Sequence, residues 1–151
     1  MPNPVNADLR DWSERLRSRS AAFLHDLLTV PLAWLLAYWI AFDLGPIPQD
    51  FQEMALRTLP LVMLVSGIGF WAFGLYQGVW RFASLPDLER IAKATIVTTL
   101  TTLVLIFAWN GLQQVPRSTP LVFLLLELLL LAGPRIAYRW AEDRRLPIRH
   151  K

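Results

Sequence analysis

Residues 120–138 of the chain are PLVFLLLELLLLAGPRIAY. The stretch is about as long as a helix must be to cross the hydrocarbon core of a bilayer, roughly 20 residues. Glu127 and Arg135 are its only charged residues. The run therefore predicts a membrane-spanning helix rather than part of a soluble core.

Three further apolar runs precede this one, and 54% of the 151 residues are hydrophobic. The loops between the runs are too short to hold an extramembrane domain. The sequence thus predicts an all-α, polytopic membrane protein with four transmembrane helices. The predicted organisation is an amphipathic N-terminal segment at 1–20, a transmembrane domain at 21–139 with spans at about 22–42, 56–75, 91–109 and 120–138, and a basic tail at 140–151.

The basic residues are distributed very unevenly among the hydrophilic segments. Of the fifteen Lys and Arg residues, thirteen lie in the first, third and fifth segments, whereas Arg57 and Arg117 alone lie in the second and fourth. The positive-inside rule then predicts that both termini are cytoplasmic. We expect the inner face to bind anionic lipids, and we expect no nucleic-acid binding because the basic residues flank spans.

The N-terminal segment has Leu9, Trp12 and Leu16 on one helical face, which predicts a short amphipathic helix on the inner leaflet ahead of the first span. In the outer half of that span, Trp34, Tyr38 and Trp39 are expected to form an interfacial aromatic belt.

In the second span, Gly67, Gly69 and Gly74 predict close contact with a neighbouring helix. The threonines of the third span are expected to bond to their own helix or across to another. The fourth span is expected to end near Gly133, Pro134 and Arg135.

The inner loop at 76–90 concentrates aromatic, basic and helix-capping residues. Ser84 and Asp87 fit a capping box, so a helix is predicted to start at about Leu85. Trp80 and Arg81 lie beside the membrane. They either dock a partner or form only an interfacial belt.

Two sites could carry chemistry. Glu127 lies well inside the fourth span, where it is either a proton or cation relay or, as the favoured interpretation, a protonated or hydrogen-bonded packing residue. His25 and Asp26 could act as an acid–base pair, but adjacent helical residues point about 100° apart. The favoured alternative is that Asp26 meets an arginine of the inner face.

No complete active site is evident in the sequence. There is no cysteine, no glycine-rich fingerprint after a strand, no Tyr-x-x-x-Lys, no cluster of metal ligands and no Ser-His-Asp set. We therefore predict no catalytic, cofactor-binding or metal-binding residue in this chain.

Three motifs resemble the N-terminal membrane region of CapD-type bacterial nucleotide-sugar 4,6-dehydratases and epimerases, enzymes of capsule and O-antigen polysaccharide biosynthesis. They are GLYQGVWRFAS at 74–84 followed by Asp87, VPRS at 115–118, and GPRIAYR at 133–139. The motif residues that become candidates are Tyr76, Trp80, Arg81, Ser84, Asp87, Arg117, Ser118 and Arg135, to which Glu127 is added on its own evidence.

The resemblance implies a four-helix anchor in the bacterial inner membrane for a cytosolic Rossmann domain that binds NAD(P). The sequence ends at about the point where that domain would begin, so it is interpreted as a truncated anchor without a cofactor of its own. Its expected partners are the bilayer, a cytosolic dehydratase domain and a second copy of the chain. The alternatives are the anchor of a polyprenyl-phosphate sugar-phosphate transferase and a small proton-coupled transporter using Glu127.

Overall fold

The structure, a computed structural model, describes residues 4–77 and 85–145, except the side chains of 4–11, 15, 142 and 145. Over these ranges the chain forms four α-helices and no strand, which confirms the all-α prediction. The helices are α1 (Pro4–Ala41), α2 (Gln49–Ala72), α3 (Leu85–Asn110) and α4 (Thr119–Arg145).

Each of the four helices is long and apolar enough to cross a membrane. The predicted number of spans is thus matched, and α3 begins at the predicted Leu85. The candidate spans within the helices are Trp12–Ala41, Gln49–Ala72, Leu85–Asn110 and Thr119–Ala141.

The N-terminal segment and the first span are one helix in the structure. α1 contains 38 residues, which at 1.5 Å per residue corresponds to a length of about 57 Å. Ser20, Ala21 and Ala22 join the two parts without a helix-breaking residue. Pro31 lies within the helix without ending it, as expected for proline in a membrane helix.

The helix does not end near Gly133 and Pro134, where the fourth span was expected to end, since α4 continues to Arg145. Gly133 does not adopt the left-handed conformation that ends many helices. Pro134 has no backbone N–H group to donate. The next residue adds a hydrogen bond to the same part of the helix, since the Arg135 side chain donates to the Leu131 carbonyl at 2.7 Å.

The helices form a bundle in which α1 packs against α2 and α4, and α3 also packs against α2 and α4. Short loops at 42–48 and 111–118 share one end, here called the loop end. The other end, here called the basic end, holds the start of α3 and the ends of α2 and α4. Its described basic residues include Arg90, Lys93, Arg135, Arg139 and Arg144.

An aromatic core joins α1 to the other elements. The Trp34 indole nitrogen donates to the Thr58 hydroxyl of α2 at 3.1 Å, and its ring meets Phe123 of α4 edge to face at 5.2 Å. The Tyr38 hydroxyl donates to the Gln114 carbonyl at 3.2 Å. The aromatic belt is therefore wrong for Trp34 and Tyr38, which are buried because their polar atoms find partners inside; only Trp39 is exposed.

The glycines of α2 allow the predicted close helix contacts. Gly69 lies so close to Thr98 of α3 that a Cβ atom would overlap the threonine methyl group. On another face, a Cβ at Gly67 would lie 3.3 Å from Leu27 of α1. The prediction of glycine-mediated packing is confirmed for Gly67 and Gly69. It is wrong for Gly74, which lies in the turn after α2, where the atoms nearest to a Cβ atom would belong to Gln77.

The α3 threonines bond mainly to their own helix. Thr95, Thr98 and Thr101 donate to carbonyl groups three or four residues earlier. The buried hydroxyl groups of Thr99 and Thr102 have no hydrogen-bond partner among the described residues. No described threonine of α3 bonds across to another helix.

We expect Gly69→Ala to destabilise the bundle by about 1–3 kcal/mol, because the new methyl group overlaps Thr98. Adding Thr98→Ser removes the threonine methyl group and should restore most of the stability. Unfolding in mixed micelles, followed by circular dichroism, measures both effects.

Gly133→Ala is the matched control for Gly69→Ala, since a Cβ atom at Gly133 meets no atom within 4 Å. It should be neutral or stabilising by up to about 1 kcal/mol from helix propensity. Equal destabilisation by both substitutions would show that the contact with Thr98 is not the cause.

Candidate functional site

A buried carboxylate, Asp26 of α1, is the centre of the most polar site in the described part of the bundle. Only 1% of its surface is exposed. Its Oδ2 atom accepts from the Arg135 guanidinium of α4 at 2.7 Å and from the Tyr76 hydroxyl at 2.9 Å. Asp26, Tyr76 and Arg135 are here called the Asp26 cluster.

Arg135 is held by two strong interactions. Its Nη2 atom forms the ion pair with Asp26, and its Nη1 atom donates to the Leu131 carbonyl one turn earlier at 2.7 Å. The side chain is 8% exposed. The charged group is therefore paired and hydrogen-bonded, as burial requires.

Tyr76 reaches Asp26 because of the way in which α2 ends. Gly74 has a φ of 70°, and the amide groups of Gly74 and Leu75 bond back to Trp71 and Phe70. This is a Schellman turn, which favours glycine at the left-handed position. The turn directs the chain after α2 back onto the bundle.

Two aromatic rings pack against the ring of Tyr76. The ring centroids of Phe23 of α1 and Tyr76 lie 5.4 Å apart in an edge-to-face arrangement. The ring centroid of Trp71 lies 6.0 Å from that of Tyr76. Burial, followed by the negative charge of Asp26, raises the pKa of Tyr76 above its ordinary value. Tyr76 therefore acts as a hydrogen-bond donor to the carboxylate.

His25 contacts the second oxygen of Asp26. Its Nδ1 atom lies 3.2 Å from Asp26 Oδ1, and about half of its side chain, 47%, is exposed. The favoured prediction that Asp26 meets an arginine is confirmed, and the arginine is Arg135. His25 also contacts Asp26, but through Oδ1, so that Oδ2 stays bound to Arg135 and Tyr76.

Glu127 lies deeper in the bundle, and its surface is 0% exposed. Neither of its oxygen atoms has a hydrogen-bond partner among the described residues, and the same holds for the Ser66 hydroxyl group of α2. The deep burial of Glu127 accords with its predicted interior position.

The register of α1 against α4 gives the depth of Glu127. Trp34 of α1 packs on Phe123 of α4. Eight residues from Trp34 along α1 is Asp26, and eight residues from Phe123 along α4 is Leu131. The Arg135 guanidinium binds both the Asp26 carboxylate and the Leu131 carbonyl. Glu127 lies midway between Phe123 and Leu131. It is therefore about one helical turn, roughly 5 Å along the axis, from the level of Asp26.

The packing of α2 against α1 places Ser66 near the same depth. Gly67 lies against Leu27, so the neighbouring Ser66 is about level with Asp26 in the antiparallel pair. α2 and α4 are diagonal in the bundle, so Ser66 and Glu127 lie on opposite helices at similar depths.

The third helix contributes a polar residue at a similar depth. Gly69 lies against Thr98, which brings Ser66 of α2 to about the level of Thr102 of α3. Each helix thus supplies at least one buried polar residue within about a turn, with Thr29 of α1 and Thr99 of α3 as further ones. We call this set the polar layer: Asp26, Ser66, Thr102 and Glu127.

The other predicted residues lie elsewhere or outside the described ranges. Asp87 lies in the first turn of α3, 3.8 Å from Arg90. Arg117 and Ser118 are exposed at the loop end. The structure does not bring them to the Asp26 cluster. The inner-loop candidates outside the described residues are Trp80, Arg81 and Ser84.

Sequence reasoning recognised Tyr76 and Arg135 through the motifs but did not pair them with Asp26. One signal was available: Glu127, Leu131 and Arg135 recur at four-residue spacing and so share one face of α4. Among the described residues, no three His, Asp or Glu side chains are grouped so that they could hold a metal ion.

The chain was compared with protein-family models, with curated proteins and with solved structures, and none of them matched. The resemblance to the dehydratase membrane region stays a prediction that depends on its motifs.

We expect Asp26→Asn to cost about 3–5 kcal/mol, because it leaves the Arg135 charge buried without its counterion. The double variant Asp26→Asn, Arg135→Gln replaces both charges by amides of similar shape and should be more stable than the single variant. Unfolding in mixed micelles measures the two losses.

Arg57→Gln is the control for this prediction, because the Arg57–Glu53 pair is exposed and 3.8 Å long. It should change stability by less than about 1 kcal/mol. If Asp26→Asn costs no more than Arg57→Gln, the Asp26 cluster does not stabilise the bundle.

Proposed function

We propose that this chain is the membrane-anchor module of a polysaccharide-biosynthesis nucleotide-sugar dehydratase or epimerase. It lies in the bacterial inner membrane and holds the cytosolic Rossmann domain close to later enzymes of glycan assembly. NAD(P) belongs to that domain. The role of this chain is positional, and none of its residues is assigned to catalysis.

The observation that carries the proposal is the convergence of two motif residues on one carboxylate. Tyr76 belongs to the first motif and Arg135 to the third, and both bond to Asp26 Oδ2. Residues that are distant in sequence therefore act together at the basic end. This supports a shared structural purpose for the motifs that resemble the dehydratase membrane region.

The course of α4 also supports an anchoring role. The helix continues beyond Arg135 to Arg145, so it carries the chain away from the bundle at the basic end. The bonds of Arg135 to Asp26 and Leu131 hold α4 at the point where it leaves. A domain attached there would receive a defined direction from the bundle.

The charge distribution supports a cytoplasmic basic end. Described basic residues cluster at this end, whereas Arg57 and Arg117 lie at the loop end. Cytoplasmic segments of membrane proteins carry an excess of Lys and Arg. Since nucleotide sugars are cytosolic substrates, this orientation places the attached domain on the side of its substrate.

Two other functions are compatible with four apolar helices. The motif residues favour the dehydratase anchor over the anchor of a sugar-phosphate transferase. A proton-coupled transporter is favoured only by the buried Glu127, whose oxygens have no partner among the described residues. Substrate uptake driven by a proton gradient in vesicles would support the transporter, and its absence would support an anchor.

The proposed orientation predicts a labelling pattern, since the chain has no cysteine of its own. Single cysteines at Gln49 and Gln113 should react with an impermeant thiol reagent added outside intact cells. Cysteines at Ser84 and Asp143 should react only after the cells are opened. Labelling of Ser84→Cys or Asp143→Cys from outside would contradict the orientation.

If the inner loop at 76–90 docks the cytosolic dehydratase domain, substitutions in this loop should reduce binding of that domain. Full-length chain carrying Trp80→Ala and Arg81→Ala should recover at least about tenfold less co-expressed cytosolic dehydratase domain, because aromatic and arginine residues are frequent hot spots of interfaces. Co-purification in detergent measures this recovery, and circular dichroism checks that the helices stay folded.

The matched control is Trp109→Ala with Arg117→Ala, which removes an exposed aromatic and an exposed arginine residue at the loop end. Its recovery of the dehydratase domain should equal that of the wild type. Equal recovery from all three proteins would rule out docking through Trp80 and Arg81.

A further inference from the structure

The polar layer contains a carboxyl group that an anchor does not require. Glu127 is fully buried, and its two oxygen atoms have no hydrogen-bond partner among the described residues. A leucine would fill this position at lower cost. An ionisable residue inside a membrane domain commonly marks a functional site.

The surroundings of Glu127 suit a proton better than a metal ion. An isolated carboxylate in a medium of low dielectric constant is very costly, whereas the neutral acid is tolerated. In the described part of the chain no group of three or more His, Asp or Glu side chains could hold a metal ion. Ser66 and Thr102 supply only hydroxyl groups at this depth.

Asp26 provides a connection between Glu127 and the surface of the bundle. The register of α1 against α4 places it about one helical turn from Glu127 along the bundle axis. Its Oδ2 atom already accepts from Arg135 and Tyr76. Its Oδ1 atom faces the half-exposed His25 at 3.2 Å, so this oxygen is the one that can receive a proton.

We propose that Glu127 is a proton-binding site at the centre of the bundle, and that it exchanges its proton with the basic end through Asp26 and His25. On entry, the N–H bond of a protonated His25 breaks and an O–H bond forms on Asp26. That proton then moves to a Glu127 carboxylate oxygen, and Asp26 becomes ionised again. Exit follows the reverse order.

The groups that surround this path come from every part of the bundle. They are Asp26 and His25 on α1, Ser66 on α2, Tyr76 after α2, Thr102 on α3, and Arg135 with Glu127 on α4. Arg135 stabilises the ionised Asp26 that remains after each transfer. The anchor role needs no proton at Glu127, so either proposal can fail without the other.

Infrared spectroscopy of the full chain in lipid vesicles tests the proposal. The carboxylic-acid band that disappears in Glu127→Gln identifies the protonated Glu127. After transfer to D₂O, this band should shift within minutes in the wild type. In Asp26→Asn, Arg135→Gln, which has no proton carrier at residue 26, the shift should be slower by about tenfold or more.

Two further variants make the result specific. His25→Gln changes a partly exposed residue and should slow the exchange by at least about threefold, since it removes the outermost carrier. Asp50→Asn is the control, because it alters an exposed carboxylate at the loop end. It should leave the exchange rate unchanged.

Several results would overturn the proposal. If Glu127→Gln removes no carboxylic-acid band, Glu127 carries no proton. If the band exists but does not exchange in the wild type, Glu127 is a permanently neutral packing residue. If the double variant and His25→Gln both exchange at the wild-type rate, the proton does not pass through Asp26.

Discussion

The ion pair between Asp26 and Arg135 is the interaction on which the basic end of the bundle depends. Two opposite charges at 2.7 Å attract strongly where water is excluded, but either charge alone would be costly there. Only arrangements that keep both partners in contact are therefore acceptable. This condition fixes the position of α4 along α1, and Tyr76 extends it to the chain that follows α2.

The rest of the bundle is held by close contacts of a different kind. In a bilayer, where lipid is as apolar as the helix surfaces, burial of leucine side chains alone would give little reason for one arrangement over another. The Trp34–Phe123 contact and the approach of Gly69 to Thr98 are specific to one register. Aromatic packing and a glycine contact thus complement the Asp26 cluster, and together they produce the polar layer around Glu127.

Features that depend on local pattern were predicted well. The four apolar helices, the start of α3 at Leu85 and the close contacts of Gly67 and Gly69 follow from composition, capping residues and side-chain size. α4 continues through Gly133 and Pro134, where the fourth span was expected to end, because a proline can be accommodated within a membrane helix when other groups satisfy the backbone. The expected aromatic belt was wrong in part. Trp34 was assigned to the interface although its indole group has a partner in the core.

Composition and periodicity by themselves determined that this protein consists of four helices able to span a membrane, with its basic residues concentrated on alternate hydrophilic segments. These properties belong to single segments, and each can be evaluated without knowledge of its neighbours. The sequence also indicated that Asp26 would meet an arginine. Only the tertiary structure decided that the arginine is Arg135, that Tyr76 shares the carboxylate and that the buried oxygens of Glu127 have no hydrogen-bond partner among the described residues. Those pairings depend on the relative register of separate helices, which is set by packing across the whole bundle.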